Sequence, residues 1–465
     1  MFSVAFHNLG CKVNSYELDV VQQNFINKGY TVVPFDQFAD IYVVNTCSVT
    51  NIADRKSRQM LHRAKERNPK AVVVALGCYV EASPAVDQTD DAVDLAIGNH
   101  EKRNTVELVE DFMKTGRRPA QIPALEAKEY EDMFLERAME HTRAYIKIQD
   151  GCDQYCTYCI IPFTRGHVRS RSVPEICKEV RGLVAKGYKE IVLTGIHISS
   201  YGIDFEGSDP EKEMSLPKEK VRYGRGYSLF LSLIEQVHKI EGVERIRLGS
   251  LEPQIVTEEF AKTLASLPKV CPHFHLSLQS GCDATLKRMN RRYTTEDFLV
   301  GVDRLRKYYD APAITTDVIV GFPGETEEEF SETKAFLRRI RFFEMHIFPF
   351  SLRKGTYAEK LDGHLNNAVK KARSAELLQM EAEDSLAYRQ QFLGAAQTVL
   401  FEEIKEIDGR SYMIGHTERY VKAALPVAED VKKAEEHYKG RSVKGVFTRM
   451  LTDEICLMEE TAEKG

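Results

Sequence analysis

Short apolar runs alternate with amphipathic stretches from the first residues of the chain. Val4-Ala5-Phe6 reads as a strand and is followed by a helix carrying Leu18, Val21 and Phe25 at helical spacing, closed by Gly29. Ile41-Tyr42-Val43-Val44 then precedes a second helix through Arg55 to Arg67, stopped by Asn68-Pro69, and Ala71 to Leu76 gives a third strand. This βαβαβ rhythm predicts a parallel sheet buried on both faces, assigned to residues 1–114. Between about 115 and 140 the rhythm is lost to Arg117-Arg118-Pro119, Pro123 and many acids, which reads as a linker with a short helix.

Six strand-like runs then recur between helix-length segments: Tyr145 to Ile148, Ile191 to Leu193, Arg245 to Leu248, Phe274 to Leu278, Asp317 to Val320 and Met345 to Phe348. They fit a partial or full β/α barrel over 141–370, with the charged stretch Asp204 to Gly226 read as a flexible surface insertion. A connecting helix occupies 371–393 as the end of a longer helical run from about Ala368 to Phe392. Five short strand-like runs follow (Thr398 to Ile404, Tyr412 to His416, Val421 to Leu425, Val443 to Thr448, Ile455 to Met458), the number in a small OB-like β-barrel over 394–460. The fold class is therefore α/β with a small β-barrel at the end.

Length and composition agree with several globular domains: 465 residues, 43% hydrophobic and 29% charged. No apolar run approaches the roughly 18 residues of a membrane span, and the start lacks a charged segment leading into an apolar one, so a cytoplasmic protein is expected. A net charge of -6 means that a nucleic-acid partner would be held by local basic patches. Three candidates are Lys287-Arg288 with Arg291-Arg292, Arg338-Arg339 with Arg341, and Lys370-Lys371 with Arg373.

Ten cysteines in such a chain point to metal or redox chemistry before disulfides. Cys152, Cys156 and Cys159 form one compact loop just after the first barrel strand, spaced C-x3-C-x2-C. Four cysteines would saturate a [4Fe-4S] cluster, whereas three leave one iron open; a zinc site completed by a remote fourth ligand is the alternative. Cys11, Cys47 and Cys78 each follow a predicted strand within a few residues, so a parallel sheet would bring them to one edge. Burial as small apolar residues is the alternative for these three. Cys177, Cys271, Cys282 and Cys456 lack partners at ligand spacing and are assigned to packing.

The barrel spacing strongly resembles that of the radical S-adenosylmethionine (SAM) superfamily, and nearly the whole chain resembles the methylthiotransferase family within it. Supporting stretches are Asn45-Thr46-Cys47-Ser48-Val49-Thr50, Arg165-Gly166 with Arg169-Ser170-Arg171, Ser250-Leu251-Glu252-Pro253, Leu278-Gln279-Ser280-Gly281 and Gly321-Phe322-Pro323-Gly324-Glu325-Thr326. The resemblance implies two [4Fe-4S] clusters, one on Cys152, Cys156 and Cys159 that chelates and cleaves SAM to a 5′-deoxyadenosyl radical, the other on Cys11, Cys47 and Cys78 that carries the sulfur. The final barrel would be the TRAM domain of that family.

It further implies SAM contacts from Tyr158, read as an exposed loop aromatic, Gly195, Ser250, Glu252 and Gly321. For these residues the alternatives are packing, tight turns or solvated loops. The implied partners are tRNA, SAM and an electron donor such as flavodoxin or ferredoxin. Leu9-Gly10-Cys11-Lys12-Val13-Asn14 with Glu17, and Asn51-Ile52-Ala53-Asp54-Arg55-Lys56-Ser57-Arg58, resemble the branch that methylthiolates carbon 2 of N6-threonylcarbamoyladenosine 37. The isopentenyladenosine branch, a branch acting on a ribosomal protein aspartate, and a non-catalytic iron-sulfur RNA-binding protein are the rival readings. A threonylcarbamoyl group needs a cation or several N–H donors, for which Arg165 and Arg292 are candidates, each of which also suits the surface or a phosphate.

Overall fold

The computed structural model describes residues 2–83, 86–119, 126, 128–137, 142–205, 226–427 and 430–461. The amino-terminal sheet consists of β1 (Ser3–Asn8), β2 (Thr31–Val33), β3 (Ile41–Thr46), β4 (Val72–Gly77) and β5 (Leu95–Ile97), all parallel in the order β2-β1-β3-β4-β5. The edge strands β2 and β5 are additions to the three strands expected; at three residues each they are too short to carry a period of their own. One face of the sheet packs Tyr42, Val44, Val73 and Ala75 against Leu61 and Ala64 of a helix, α2 (Asn51–Arg67). The opposite face packs Val43, Val74 and Leu76 with the preceding helix, α1 (Lys12–Asn27), in a core continuous with that of the central domain.

The central domain holds β6 (Ala144–Asp150), a two-residue β7 (Arg169–Ser170) antiparallel to it, β8 (Glu190–Gly195), β9 (Arg245–Leu248), β10 (His273–His275), β11 (Ala313–Val320) and β12 (Glu344–Pro349). The strands form two sheets, β7-β6-β8-β9 and β10-β11-β12, linked by isolated pairs at Ile246–Val270 and Leu251–Leu276, which gives an open partial barrel. The run expected to be a strand through Leu278 leaves the ladder after His275. The Thr316 hydroxyl intervenes there, accepting from Leu278 N (3.0 Å) and donating to Leu276 O (2.5 Å). Ile146, Leu193, Leu248, Phe274 and Ile314 share a core with helix residues Ile176, Val180, Ile234 and Phe260. The alternating set therefore faces the barrel interior: Tyr145, Val192 and Arg247 in one register row, Lys147 and Thr194 in the next, His275 with Thr315 and Asp317 with His346 opposite.

The long helix is Asn367–Gln390, begun by an Asn366 side chain that accepts from Val369 N; it starts before the expected 371 and ends before 393. β13 (Ala396–Ile407), β14 (Arg410–Thr417), β15 (Lys422–Pro426), β16 (Ser442–Thr452) and β17 (Ile455–Glu460) close into a barrel, with an additional short helix, Val431–Tyr438. This barrel sits under the amino-terminal ends of the central strands. Arg245 donates to the carbonyls of His416 (3.0 Å) and Thr398 (2.9 Å), Arg247 donates to that of Glu418 (3.0 Å), and the Tyr420 ring lies 5.0 and 4.8 Å from the Arg143 and Arg247 guanidiniums.

The segment read as a linker is a packed seam where it is described. Met133 and Leu135 are buried, Tyr130 donates to Lys147 O (2.9 Å), and Tyr16 donates to Met133 O (2.7 Å). Its expected short helix and nearly all of the Asp204 to Gly226 insertion lie outside the described residues.

Candidate functional site

Because β1, β3 and β4 are parallel neighbours, the residues that follow them emerge along one edge of the sheet. Cys11 caps α1, Cys47 follows β3, and Cys78 begins the short helix Cys78–Ala82. Gly10 has φ +112°, and a Cβ there would lie 3.3 Å from Cys47 Sγ and 2.9 Å from the Asn14 amide, so the first loop must come this close to the second cysteine without a side chain. Asn14 ties the two loops by donating to Leu9 O (2.7 Å) and Thr46 O (3.0 Å), and the Asn45 amide donates to Asn14 O (2.8 Å). Burial pushes the Cys47 thiol up to about 11, with Cys78 and Cys11 adding to the rise. Three thiols thus share one electrostatic environment, exposed at Cys11 and buried at Cys78.

The barrel trio sits on the loop after β6. Cys152 N donates to Gly166 O (3.0 Å), Cys159 N donates to Cys156 O (2.9 Å), and Tyr155 takes φ 50° to wrap the loop. Burial raises the Cys152 and Cys159 thiols, the latter to about 12, and each is pushed further by its neighbours in the trio. Arg291 donates from one nitrogen to Cys156 Sγ (3.1 Å) and from another to Glu252 Oε1 (2.5 Å). Three crowded sulfurs, those of Cys152 and Cys156 on buried residues and that of Cys159 on a half-buried one, with a guanidinium beside them are poorly placed as free thiols. As a donor set they suit iron, and the number three suits a cluster with one open iron better than a closed zinc site.

The two trios meet. Cys78 of the sheet edge contributes to the raised state of Cys159 on the barrel loop. Between them the Asn99 amide donates to both Cys78 Sγ (3.6 Å) and Thr164 O (2.6 Å). Beneath them lies a buried ion cluster spanning the domains. Glu17 of α1 pairs with Lys102 (2.5 Å), Lys147 (2.7 Å) and Arg165 (2.9 Å), and Asp150 with Lys147 (2.7 Å) and Arg165 (3.0 Å). Burial alone would keep Glu17 protonated, but the Arg165, Lys102 and Lys147 charges hold its carboxyl well below the usual range. With Arg169 also beside Asp150, four cations face two carboxylates, leaving positive charge next to the sulfurs.

The structure revises several expectations. Arg165 is fully buried in this cluster and bonded also to the Asn14 side chain (2.7 Å), not on the surface. Tyr158 is half-buried, its ring edge-on to Phe322 with centroids 6.3 Å apart, and is not an exposed loop aromatic. Glu252 is buried between Arg291 and His197, whereas Ser250 is exposed. A Cβ on Gly195 would lie 2.9 Å from Gln149 O. Gly321 takes φ +72° against Lys370 Cγ and donates its N–H to Glu325 (2.6 Å), a packing reason independent of any ligand.

The basic clusters are split between internal pairs and exposed residues. Arg288 pairs with Glu329, Arg291 with Glu252, Arg373 with Glu325 and Glu327, and the Lys370 ammonium donates to Phe350 O (3.1 Å); Lys287, Arg292, Arg338, Arg339, Arg341 and Lys371 remain exposed. Cys177, Cys271, Cys282 and Cys456 are each buried. Arg291, Asn99 and the Glu17 cluster were not singled out as site residues. Arg291 stood inside a basic run, but neither its acid partner nor its thiol is near it in sequence.

Residues 146–337 match the model of the Radical SAM superfamily, and residues 3–98 that of the Uncharacterized protein family UPF0004. The chain is 38% identical to the threonylcarbamoyladenosine tRNA methylthiotransferase MtaB of Bacillus subtilis (strain 168), covering 98% of each chain. It is 41% identical to the protein of that name from Aquifex aeolicus (81% of this chain, 87% of the relative). A tRNA-2-methylthio-N(6)-dimethylallyladenosine synthase of Methylacidiphilum infernorum is 34% identical over 86% of this chain and 84% of its own. Among solved structures, the radical S-adenosylmethionine methyltransferase TsrM from Kitasatospora setae is similar in fold, with a TM-score of 0.52 at 14% identity over 75% of this chain and 72% of that one.

Proposed function

We propose how the work is divided in this chain, which belongs to the radical SAM tRNA methylthiotransferases: it methylthiolates carbon 2 of N6-threonylcarbamoyladenosine 37 of tRNA. The observation that carries the reading is the approach of the two cysteine trios, with Cys78 within electrostatic range of Cys159 and tied through Asn99 to Thr164, on the helix that follows the barrel loop. Cys152, Cys156 and Cys159 would hold one [4Fe-4S] cluster, and Cys11, Cys47 and Cys78 a second. When bound, the first with SAM supplies the one-electron chemistry that removes hydrogen from an unactivated aromatic C–H, and the second carries the sulfur to be transferred.

The protein's own residues position and neutralise. Arg291 bonds Cys156 and fixes Glu252, so loop and barrel wall move as one. The Arg165 charge opposes the burial that raises the Cys47 thiol, and buried Asn14 and Asn45 hold the first two amino-terminal loops at fixed separation. Tyr158, Gly195, Ser250, Glu252 and Gly321 would be the SAM contacts, and the closing β-barrel a tRNA-binding module. A flavodoxin or ferredoxin would deliver the electrons, and the cytoplasm is the compartment; no helix among the described residues is long and apolar enough to cross a membrane.

The test is direct. Anaerobically reconstituted enzyme receives SAM, reductant and two tRNAs, one carrying threonylcarbamoyladenosine 37 and one isopentenyladenosine 37, and nucleosides are read by mass spectrometry. Product on the threonylcarbamoyl tRNA is expected; product only on the isopentenyl tRNA refutes the substrate.

A further inference from the structure

The inner wall of the central domain carries a second kind of donor set, on three strands that hold no cysteine. β10, β11 and β12 are parallel neighbours, and their register pairs His275 with Thr315 and Asp317 with His346. Side chains two residues apart on a strand share a face, so Thr315 and Asp317 point the same way, and the pairing puts His275 and His346 on that face with them. Three adjacent strands therefore present two imidazoles and one carboxylate to the barrel interior.

The donor atoms converge as that register requires. One ligand atom from each residue lies within 4.8 Å of those of the other two, and His275 Nε2 is 3.4 Å from Asp317 Oδ2. That separation is long for a charged hydrogen bond, which falls near about 2.7–2.9 Å, yet it is the spacing of two ligands held at about 2.1 Å around a tetrahedral ion. The His275 and His346 rings are stacked, with centroids 6.0 Å apart. His346 is the exposed member and its ring makes no hydrogen bond among the described residues, so that side chain is able to turn and close the set.

A ligating histidine is oriented by what its other nitrogen does. His275 Nδ1 lies 3.0 Å from the hydroxyl of Thr315, a buried residue. With Nδ1 donating to that hydroxyl, the lone pair stands on Nε2, the nitrogen that faces Asp317. Two imidazoles with one carboxylate suit an ion of the zinc or ferrous class, whereas calcium and magnesium take oxygen ligands. Three protein ligands also leave at least one coordination position open, as a closed structural site does not.

We propose that His275, Asp317 and His346 bind one divalent transition ion inside the barrel, a metal site separate from both cysteine trios, with a position open to an oxygen donor such as water or a carboxylate. The inference does not depend on which adenosine the enzyme modifies.

The experiment uses the full-length protein with its iron-sulfur clusters reconstituted, equilibrated anaerobically with a small excess of Zn2+ and gel-filtered. Zinc is the probe because imidazole suits it and its X-ray absorption edge is distinct from that of cluster iron. One zinc per chain is expected, in a shell of nitrogen and oxygen at about 2.0–2.1 Å with no sulfur at about 2.3 Å. His346→Gln, a change at an exposed position, and Asp317→Asn should each lose that zinc while keeping the iron content and unfolding transition of the parent. Thr315→Val, which removes only the acceptor for His275, should weaken zinc binding by about 10- to 100-fold. No zinc retained by the parent, a shell dominated by sulfur, or a full zinc equivalent retained by His346→Gln overturns the inference.

Discussion

The two cysteine trios are brought together by opposite routes. Cys152, Cys156 and Cys159 lie within eight residues of one loop after β6, so the chain itself keeps them together, while Thr157 N to Met289 O (3.0 Å) and Ala358 N to Thr157 O (2.8 Å) dock that loop on the barrel. Cys11, Cys47 and Cys78 span sixty-eight residues and meet only because three parallel strands stand side by side in the order β1-β3-β4. The first is a local motif and the second a product of topology. The spacing within the local site is set by a few consecutive residues, whereas a site assembled from three strand ends depends on every contact that keeps those ends together and aimed at the barrel.

The sharpest way to break the comparison is to empty one trio and leave the other. Replacing Cys152, Cys156 and Cys159 together by Ala should halve the iron of reconstituted protein and reduce 5′-deoxyadenosine formation to background. Cleavage of SAM by that variant would remove the loop from the radical chemistry. The single substitutions Cys11→Ala, Cys47→Ala and Cys78→Ala should do the reverse, retaining 5′-deoxyadenosine while yielding no methylthio product. Full product from any one of them would exclude that cysteine from the second site.

A subtler test attacks the joint between the trios. Glu17 neutralises three buried cations, two of which, Lys147 and Arg165, belong to the barrel. Glu17→Ala should lower unfolding free energy by about 3–5 kcal/mol, the consequence of leaving buried charge uncompensated, and should reduce methylthio transfer more than SAM cleavage. Denaturant unfolding and the ratio of the two products measure these effects; equal loss of both activities would show that the joint does not serve the dispersed trio in particular.

The smallest expected effect concerns His100, beside the same cluster. Burial, and then the Arg169 charge, lower its pKa to about 4 from an ordinary 6.5. Between those values the unfolded chain binds the proton and the folded chain does not, so stability is present above pH 6.5 and lost as pH falls toward 4. Allowing for partial exposure, this contributes about 1–3 kcal/mol. In His100→Gln the difference in unfolding free energy between pH 7 and pH 5 should shrink accordingly, and an unchanged difference would assign the acid sensitivity elsewhere.

Much of the architecture was legible from the chain alone. Periodicity located the three central strands of the first sheet, and five strand-like runs marked the final barrel, because alternation is written in consecutive residues. Boundaries were less secure where a side chain competes with the ladder, as Thr316 does at Leu276 to Leu278. Charge was a mixed guide: two of the three basic runs read as an RNA surface hold Arg288, Arg291 and Arg373, each paired with a glutamate distant in sequence, while Arg338, Arg339 and Arg341 of the other are exposed.

By itself the sequence determined the chemistry available: a C-x3-C-x2-C loop after a strand, three more cysteines at strand ends, and enough apolar periodicity to build three domains. Tertiary structure alone decided which charges are spent and which remain. Arg165 and Lys12 are both cations near cysteines in the chain, but one is locked among Glu17, Asp150 and Asn14 and the other stands exposed at the start of α1. The reason is physical. Whether a buried charge is neutralised depends on groups brought within a few ångströms by folding, and their separation along the chain, 148 residues for Arg165 and Glu17, carries no trace of it.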